Sequence, residues 1–264
     1  MINALDKLDI RPDEIHLWFA FPPEIRDEAL LARYHGFLNP EEAHQQQRFH
    51  FERHRHQYLI TRAVIRSLLS RYHPSVAPAE WCFEKNQYGR PHLDPKHHSP
   101  LRFNISHTEG LIACALVLDR EIGVDVENLS RGGDLVDIAD RFFSPAEVAD
   151  LHRVPAEGQS DRFFDYWTLK ESYIKARGMG LSIPLEQFSF HIDDGTGLKL
   201  SVDPRQNDPA ERWQFQHWRM PPHFKVALAV ERRSGTRFRV SMKKLVPLAS
   251  QEDMHCPYLR GNFN

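Results

Sequence analysis

The sequence predicts a mixed α/β (α+β) chain in two halves, each a long helix accompanied by several short strands. Three observations carry that expectation. Ile60, Val64, Leu68 and Tyr72 step by four, joined by Ile65 and Leu69, so Asn39 to about Tyr72 reads as one long helix with a buried stripe. A second helical pattern runs from Asp161 to Arg177 and is stopped by Gly178 and Gly180. Short apolar runs bounded by turn residues fill the remainder and read as strands. With 264 residues and 41% hydrophobic content, the chain can bury a sizeable core, as one large domain or two smaller ones.

Taken in order, Ile15–Phe21 (IHLWFAF) is the first strand, ended by Pro22–Pro23. Asn39–Pro40–Glu41–Glu42 is a helix start, with proline in the first turn. Arg48, Arg55 and Arg62 step by seven along the helix that follows. On a continuous helix they share one face, either solvated or anion-binding. Pro74 and Pro78 break the pattern, Trp81–Glu84 suits a strand, and Asn86–Pro91 a tight turn. Leu111–Leu118 and Ile122–Glu127 read as the two arms of a hairpin turning at Asp119–Arg120–Glu121. The halves divide there, 1–120 and 121–264. Ser144–Pro145–Ala146–Glu147 is a capping box opening a short helix. Strands follow at Phe188–Ile192, Leu198–Val202, Trp213–Trp218 and Lys225–Val230, and the polar tail after Pro247 is expected to fray.

Composition narrows the function. A net charge of −2 and a pI near 6.8 give no global attraction to nucleic acid or anionic membrane. No apolar run approaches the ~18 residues of a membrane span. The N-terminal stretch lacks a basic start and apolar centre, and three scattered cysteines fit a reducing compartment, so a cytoplasmic location is expected. Sixteen histidines raise the question of a transition metal, yet neither His54/His56 nor His97–His98 has zinc-site spacing.

Three constellations carry chemistry. In Ile122–Asn128 (IGVDVEN), Asp125 and Glu127 point to one face of a strand. Such a pair suits a hairpin edge in water, or an Mg²⁺ ion that takes carboxylates, waters and phosphate oxygens. In Trp167–Lys175 (WTLKESYIK), Trp167, Glu171 and Lys175 share a helix face, with Lys170 on the next. This reads either as a surface Glu–Lys pair over a core tryptophan or as an acidic ligand or base flanked by two ammonium groups. In Asn104–Ile105–Ser106–His107, a hydroxyl beside an imidazole suits a phosphate, or else a capping serine and a packing histidine. The surroundings of Ser106 lack the Gly-x-Ser-x-Gly of a nucleophile elbow.

In order and spacing, FNISH at 103–107, GVDVE at 123–127, RFFSPAE at 141–147 and WTLKESYIK at 167–175 resemble the 4′-phosphopantetheinyl transferases of the Sfp type. Arg48–Phe49 and the YGRP turn at 88–91 fit the first half of the same family. The resemblance implies two similar α/β halves related by a pseudo-twofold axis, with coenzyme A and Mg²⁺ in the cleft between them. It implies Asp125, Glu127 and Glu171 as metal ligands, and Glu171 as the base that accepts a serine proton. Lys170 and Lys175 match lysines at the pyrophosphate. Ser106 and His107 match residues near the 3′-phosphate end, with Asn104 of the same motif on the coenzyme A side, and Arg90 matches a nucleotide contact. The implied reaction moves the 4′-phosphopantetheine arm of coenzyme A to a serine of an apo acyl, polyketide or peptidyl carrier protein and releases 3′,5′-ADP. The chain departs from the family at Glu41–Gln47, where relatives carry basic residues for the 3′-phosphate; Arg48 is the candidate replacement. A chain already holding two halves is expected to act as a monomer. Two rivals are another Mg²⁺-dependent phosphoryl or nucleotidyl transferase, and a non-catalytic nucleotide-binding module.

Overall fold

The computed structural model describes residues 6–132, 135–193, 195–233 and 235–263. In chain order, β1 is Glu14–Ala20, followed by α1 (Glu28–His35), α2 (Pro40–Gln47) and α3 (Glu52–Tyr72). Then come β2 (Phe83–Lys85), β3 (Pro91–Leu93), β4 (Leu101–Thr108), β5 (Leu111–Leu118) and β6 (Ile122–Asn128). The second half continues with α4 (Leu135–Phe142), α5 (Pro145–Arg153), α6 (Ala156–Arg177), β7 (Phe188–Ile192) and β8 (Leu198–Val202). It closes with β9 (Trp213–Met220), β10 (Phe224–Glu231), β11 (Arg239–Val246), β12 (Ser250–Asp253) and β13 (Tyr258–Gly261).

Two sheets organise these elements. One has the order β12-β11-β1-β5-β4, the other β13-β9-β10-β6. Side-chain alternation explains how they stack. Ile15, Leu17 and Phe19 of β1 and Leu111, Ala113, Ala115 and Val117 of β5 form one core with Ile122, Val124 and Val126 of β6 and with Val226 and Leu228 of β10. The two sheets therefore pack face to face. Trp18 and Ala20, with Ile112, Cys114 and Leu116, turn the other way onto Ile60, Val64 and Leu68 of α3. On the far side of the second sheet, Phe215, Ala227 and Ala229 meet Leu169, Tyr173 and Ala176 of α6. Helix, sheet, sheet and helix form four layers, and each half contributes one long helix to its own sheet, as a mixed α/β pseudo-twofold arrangement requires.

Several local expectations are corrected. Leu111–Leu118 and Ile122–Glu127 are not hairpin arms: β5 lies between β1 and β4, while β6 pairs only with β10 at the edge of the other sheet. A strand apolar on both faces was mistaken for the half of a hairpin. The expected helix from Asn39 to Tyr72 is two helices, α2 and α3. Arg48 is the C-cap of α2, and Arg55 Nη1 turns back to donate to the Phe49 carbonyl in the break at 2.9 Å. The basic row is thus dispersed: Arg48 is exposed, Arg55 binds Glu52, and Arg62 is ion-paired with Glu42. The tail does not fray among the described residues. Strand β11 pairs in parallel with β1, β12 pairs with β11, and β13 with β9. Strands β11 and β12 thus complete the sheet of the first half, across a simple 1–120/121–264 division, while β13 extends that of the second.

Candidate active site

Gly123 sets the approach of α6 to β6. A Cβ there would stand 2.0 Å from the Ser172 carbonyl oxygen and 2.4 Å from Ala176 N, so only glycine admits the helix this close. Because β6 alternates, Asp125 and Glu127 share the face of Gly123 and point at α6. The other face, with Val124 and Val126, is spent on the inter-sheet core.

Asp125 is 3% exposed. Its Oδ1 accepts from Ser106 Oγ at 2.9 Å and from Lys175 Nζ at 2.6 Å, and Lys175 also donates to Ser106 Oγ at 2.7 Å. The FNISH strand, the GVDVE strand and the WTLKESYIK helix therefore meet at one carboxylate. Asp125 Oδ2 is buried with no hydrogen-bond partner. Next along the strand, Glu127 Oε1 accepts from Trp167 Nε1 at 3.1 Å, and Arg131 lies 3.8 Å from Oε2. Burial, and then the nearby Asp125 charge, push Glu127 up to about 7. The same two causes raise Glu171, against the opposing pull of Lys175. His107 is exposed; its Nδ1 accepts from Gln57 Nε2 at 2.9 Å, and its pKa is lowered by partial desolvation from surrounding protein and then by the Lys175 charge.

Of these groups, Glu127 and His107 line a cleft of about 1190 Å³ whose walls come from both halves: Pro22, Phe49, Arg53, His54, Gln57, Arg62 and His107 on one side, Glu127, Asn128 and Arg131 on the other. Asp125, Glu127 and Glu171, near a lysine and with one buried carboxylate oxygen unpartnered, are of the residue type that suits a hard, oxygen-seeking cation such as Mg²⁺. Among the described residues, no three His, Cys, Asp or Glu side chains stand close enough together to hold a metal ion.

Comparison with known proteins fits this geometry. Residues 121–230 match the model of the 4′-phosphopantetheinyl transferase superfamily, and residues 27–117 match that of the 4′-phosphopantetheinyl transferase N-terminal region. The 4′-phosphopantetheinyl transferase HetI of a Nostoc species is 35% identical over 75% of this chain and 82% of its own. The 4′-phosphopantetheinyl transferase Sfp of Bacillus subtilis is 32% identical over 74% of this chain and 83% of its own. Another Bacillus subtilis 4′-phosphopantetheinyl transferase is 38% identical over 61% and 69%.

The chain belongs to the Sfp-type 4′-phosphopantetheinyl transferases. It is therefore an enzyme, which removes the non-catalytic binding module from consideration. No helix among the described residues of this transferase is long and apolar enough to cross a membrane.

Not every expected site residue reaches the cleft. Lys170 is fully buried: its ammonium sits 2.7 Å from Glu147 Oε2 and donates to the carbonyls of Leu185 (2.8 Å) and Phe188 (2.7 Å). One residue from Glu171, it turns about 100° away on the helix and into the core. A pyrophosphate contact by Lys170 is corrected to a structural tie between α6, α5 and β7. Asn104 is also internal. Its Oδ1 accepts from Val124 N at 2.9 Å, stitching β4 to β6 rather than facing coenzyme A. Arg90 is ion-paired with Glu121 and donates to the carbonyls of Ala176 (2.8 Å) and Ile122 (3.0 Å), which makes it a brace between the halves. Arg48 does not line the cleft, whereas Arg26, Arg53, Arg62 and Arg131 do. Gly123, Gln57 and Arg131 were not singled out beforehand. Of these, only Gly123 left a signal in sequence, as the small residue of GVDVE two positions before Asp125.

Proposed function

We propose that this transferase moves the 4′-phosphopantetheine arm of coenzyme A to a serine hydroxyl of an apo carrier protein and releases 3′,5′-ADP. The reading includes a requirement for Mg²⁺, a cytoplasmic setting and action as a monomer. The observation that carries it is the meeting of Asp125, Ser106 and Lys175, beside Glu171 and beside Glu127, which lines the cleft between the halves.

The serine oxygen attacks the β-phosphorus of coenzyme A, the bond from that phosphorus to the bridging oxygen breaks, and the electron pair leaves with 3′,5′-ADP. Glu171 takes the serine proton, directly or through one water; its raised pKa brings it closer to neutrality, where a base works best. Lys175 offers a point charge to the pyrophosphate. Neutral His107 and the arginines along the cleft hold the phosphates at the nucleotide end. Asp125, Glu127 and Glu171 would hold the divalent cation, which would supply charge neutralisation at the pyrophosphate.

The test is to incubate the protein with coenzyme A, Mg²⁺ and apo acyl, peptidyl and aryl carriers, then weigh each carrier. A gain equal to one phosphopantetheine arm, lost with EDTA, is expected. No gain on any carrier refutes the reading. Asp125→Ala is expected to abolish transfer while the protein still melts cooperatively; a fully active variant overturns the role given to Asp125.

A further inference from the structure

The ammonium of Lys175 lies 2.6 Å from Asp125 Oδ1, closer than to Ser106 Oγ at 2.7 Å. Asp125 is almost fully enclosed, so its charge is little screened by solvent. Lys175, by contrast, is 27% exposed, on a flexible four-carbon stem. The titratable and charged groups that feel it are Asp125, Glu127, Glu171 and His107, and Arg131 lies 3.8 Å from Glu127. One partly exposed ammonium thus compensates a buried carboxylate that a divalent cation would also need.

Resting on the transferase reading above, we infer that Lys175 is a resident counter-ion of Asp125, which the pyrophosphate of the incoming substrate draws away, so that substrate and divalent cation bind cooperatively. The physical argument is one of exchange. A cation approaching Asp125 in the free enzyme must displace an ammonium already at contact distance, and that competition weakens it. A bound pyrophosphate gives the ammonium a second anionic partner within reach of its stem, and Asp125 is released to the cation. Linkage makes the effect reciprocal: the cation strengthens coenzyme A binding by the same factor. Lys175 then does two things in succession, holding Asp125 neutralised in the free enzyme and meeting phosphate in the complex.

The experiment measures Mn²⁺ binding by the paramagnetic signal of the free ion, with and without coenzyme A, for the wild type, Lys175→Met and Lys175→Arg. Mn²⁺ binding to coenzyme A without protein is subtracted. In the wild type, coenzyme A is expected to tighten Mn²⁺ by about fivefold or more, within the usual range of coupling between sites. Lys175→Met is expected to bind Mn²⁺ alone at least about fivefold tighter than the wild type, with the coupling reduced below about twofold. Lys175→Arg keeps the charge and is expected to behave as the wild type. Should Lys175→Met melt early, Lys175→Gln, which retains a donor for Asp125, takes its place with the same expectation. Unchanged Mn²⁺ affinity and undiminished coupling without the lysine charge overturn the inference and leave the transferase reading intact. No Mn²⁺ binding to any protein in either condition overturns both the metal requirement and the inference.

Discussion

Lys170 and Lys175 stand five residues apart on one helix, and their surroundings give them opposite work. Lys175 reaches Asp125 and Ser106, whereas Lys170 ends on the capping carboxylate of α5, between the rings of Phe188 (4.1 Å) and Phe143 (5.4 Å). Removing one member of a buried pair strands the other charge, at a cost of about 3–5 kcal/mol. Lys170→Met is therefore expected to lower unfolding free energy by roughly that amount in urea titration, while coenzyme A affinity of the folded fraction holds. A large loss of affinity with stability intact would return Lys170 to the site. His217 is the second buried titratable group of note. Burial pulls it down to about 3, although Asp165 lies 3.8 Å from Nδ1. Between that value and the ordinary 6.5, the unfolded chain binds a proton that the folded one refuses. Its contribution to stability is thus present above pH 6.5 and is lost as pH falls, by about 1.4 kcal/mol per unit. His217→Gln is expected to flatten the stability-versus-pH curve between pH 6.5 and 4 by up to one proton; an unaltered slope would show that another group titrates there. At this scale the sequence was legible where a motif fixed both residue and face, as for Asp125, Glu127 and Lys175. It was not legible for Lys170, Asn104 and Arg90, because their polar groups are consumed by backbone partners distant in sequence.

Among the elements, α6 and β6 form the pairing on which the site depends, and Gly123 is its contact point. Gly123→Ala forces a methyl group into helix backbone rather than into a side chain that could move aside. Overpacking of this kind costs about 1–3 kcal/mol. The expected outcome is a lower melting temperature together with at least about a tenfold drop in transfer, since Glu171 and Lys175 move away from Asp125. Full activity with normal melting would mean that α6 need not sit so close. Both long helices were legible from their periodicity, yet the break at residues 48–51 was not. Its loop carbonyls are satisfied by Arg55, a side chain that looks like one more member of a helical basic row. The false hairpin has a similar origin. Two adjacent apolar strands look alike whether they pair edge to edge or face each other across an interior, and only burial on both faces of β5 separates the cases.

For the whole molecule, the last strands are as important as the long helices. Strand β11 lies beside β1, with Glu14 against Arg239 and Phe19 against Lys244, and Tyr34 Oη of α1 donates to the Pro247 carbonyl at 2.6 Å. Leu245 of β11 is part of the core under α3. Truncation before residue 239 is expected to leave a chain that does not unfold cooperatively, as circular dichroism against temperature would reveal. A truncated form that melts sharply near the full-length temperature would show that the first sheet stands without β11. This closure escaped the sequence because β11 carries Arg239, Lys243 and Lys244 on a half-exposed strand, and its parallel partner lies at the other end of the chain.

The register of Glu14 with Arg239 also bears on how the protein comes into being. A growing polypeptide leaves the ribosome from its N-terminus, so β1 emerges long before its neighbour exists. The first half waits with an open sheet edge until β11 has been made, and a pairing of such sequence separation forms slowly. The two halves resemble one another in architecture but not in birth: the second can assemble its helix and β6, β9 and β10 from residues close in order, whereas β1 of the first must wait for a partner from the far side of the second.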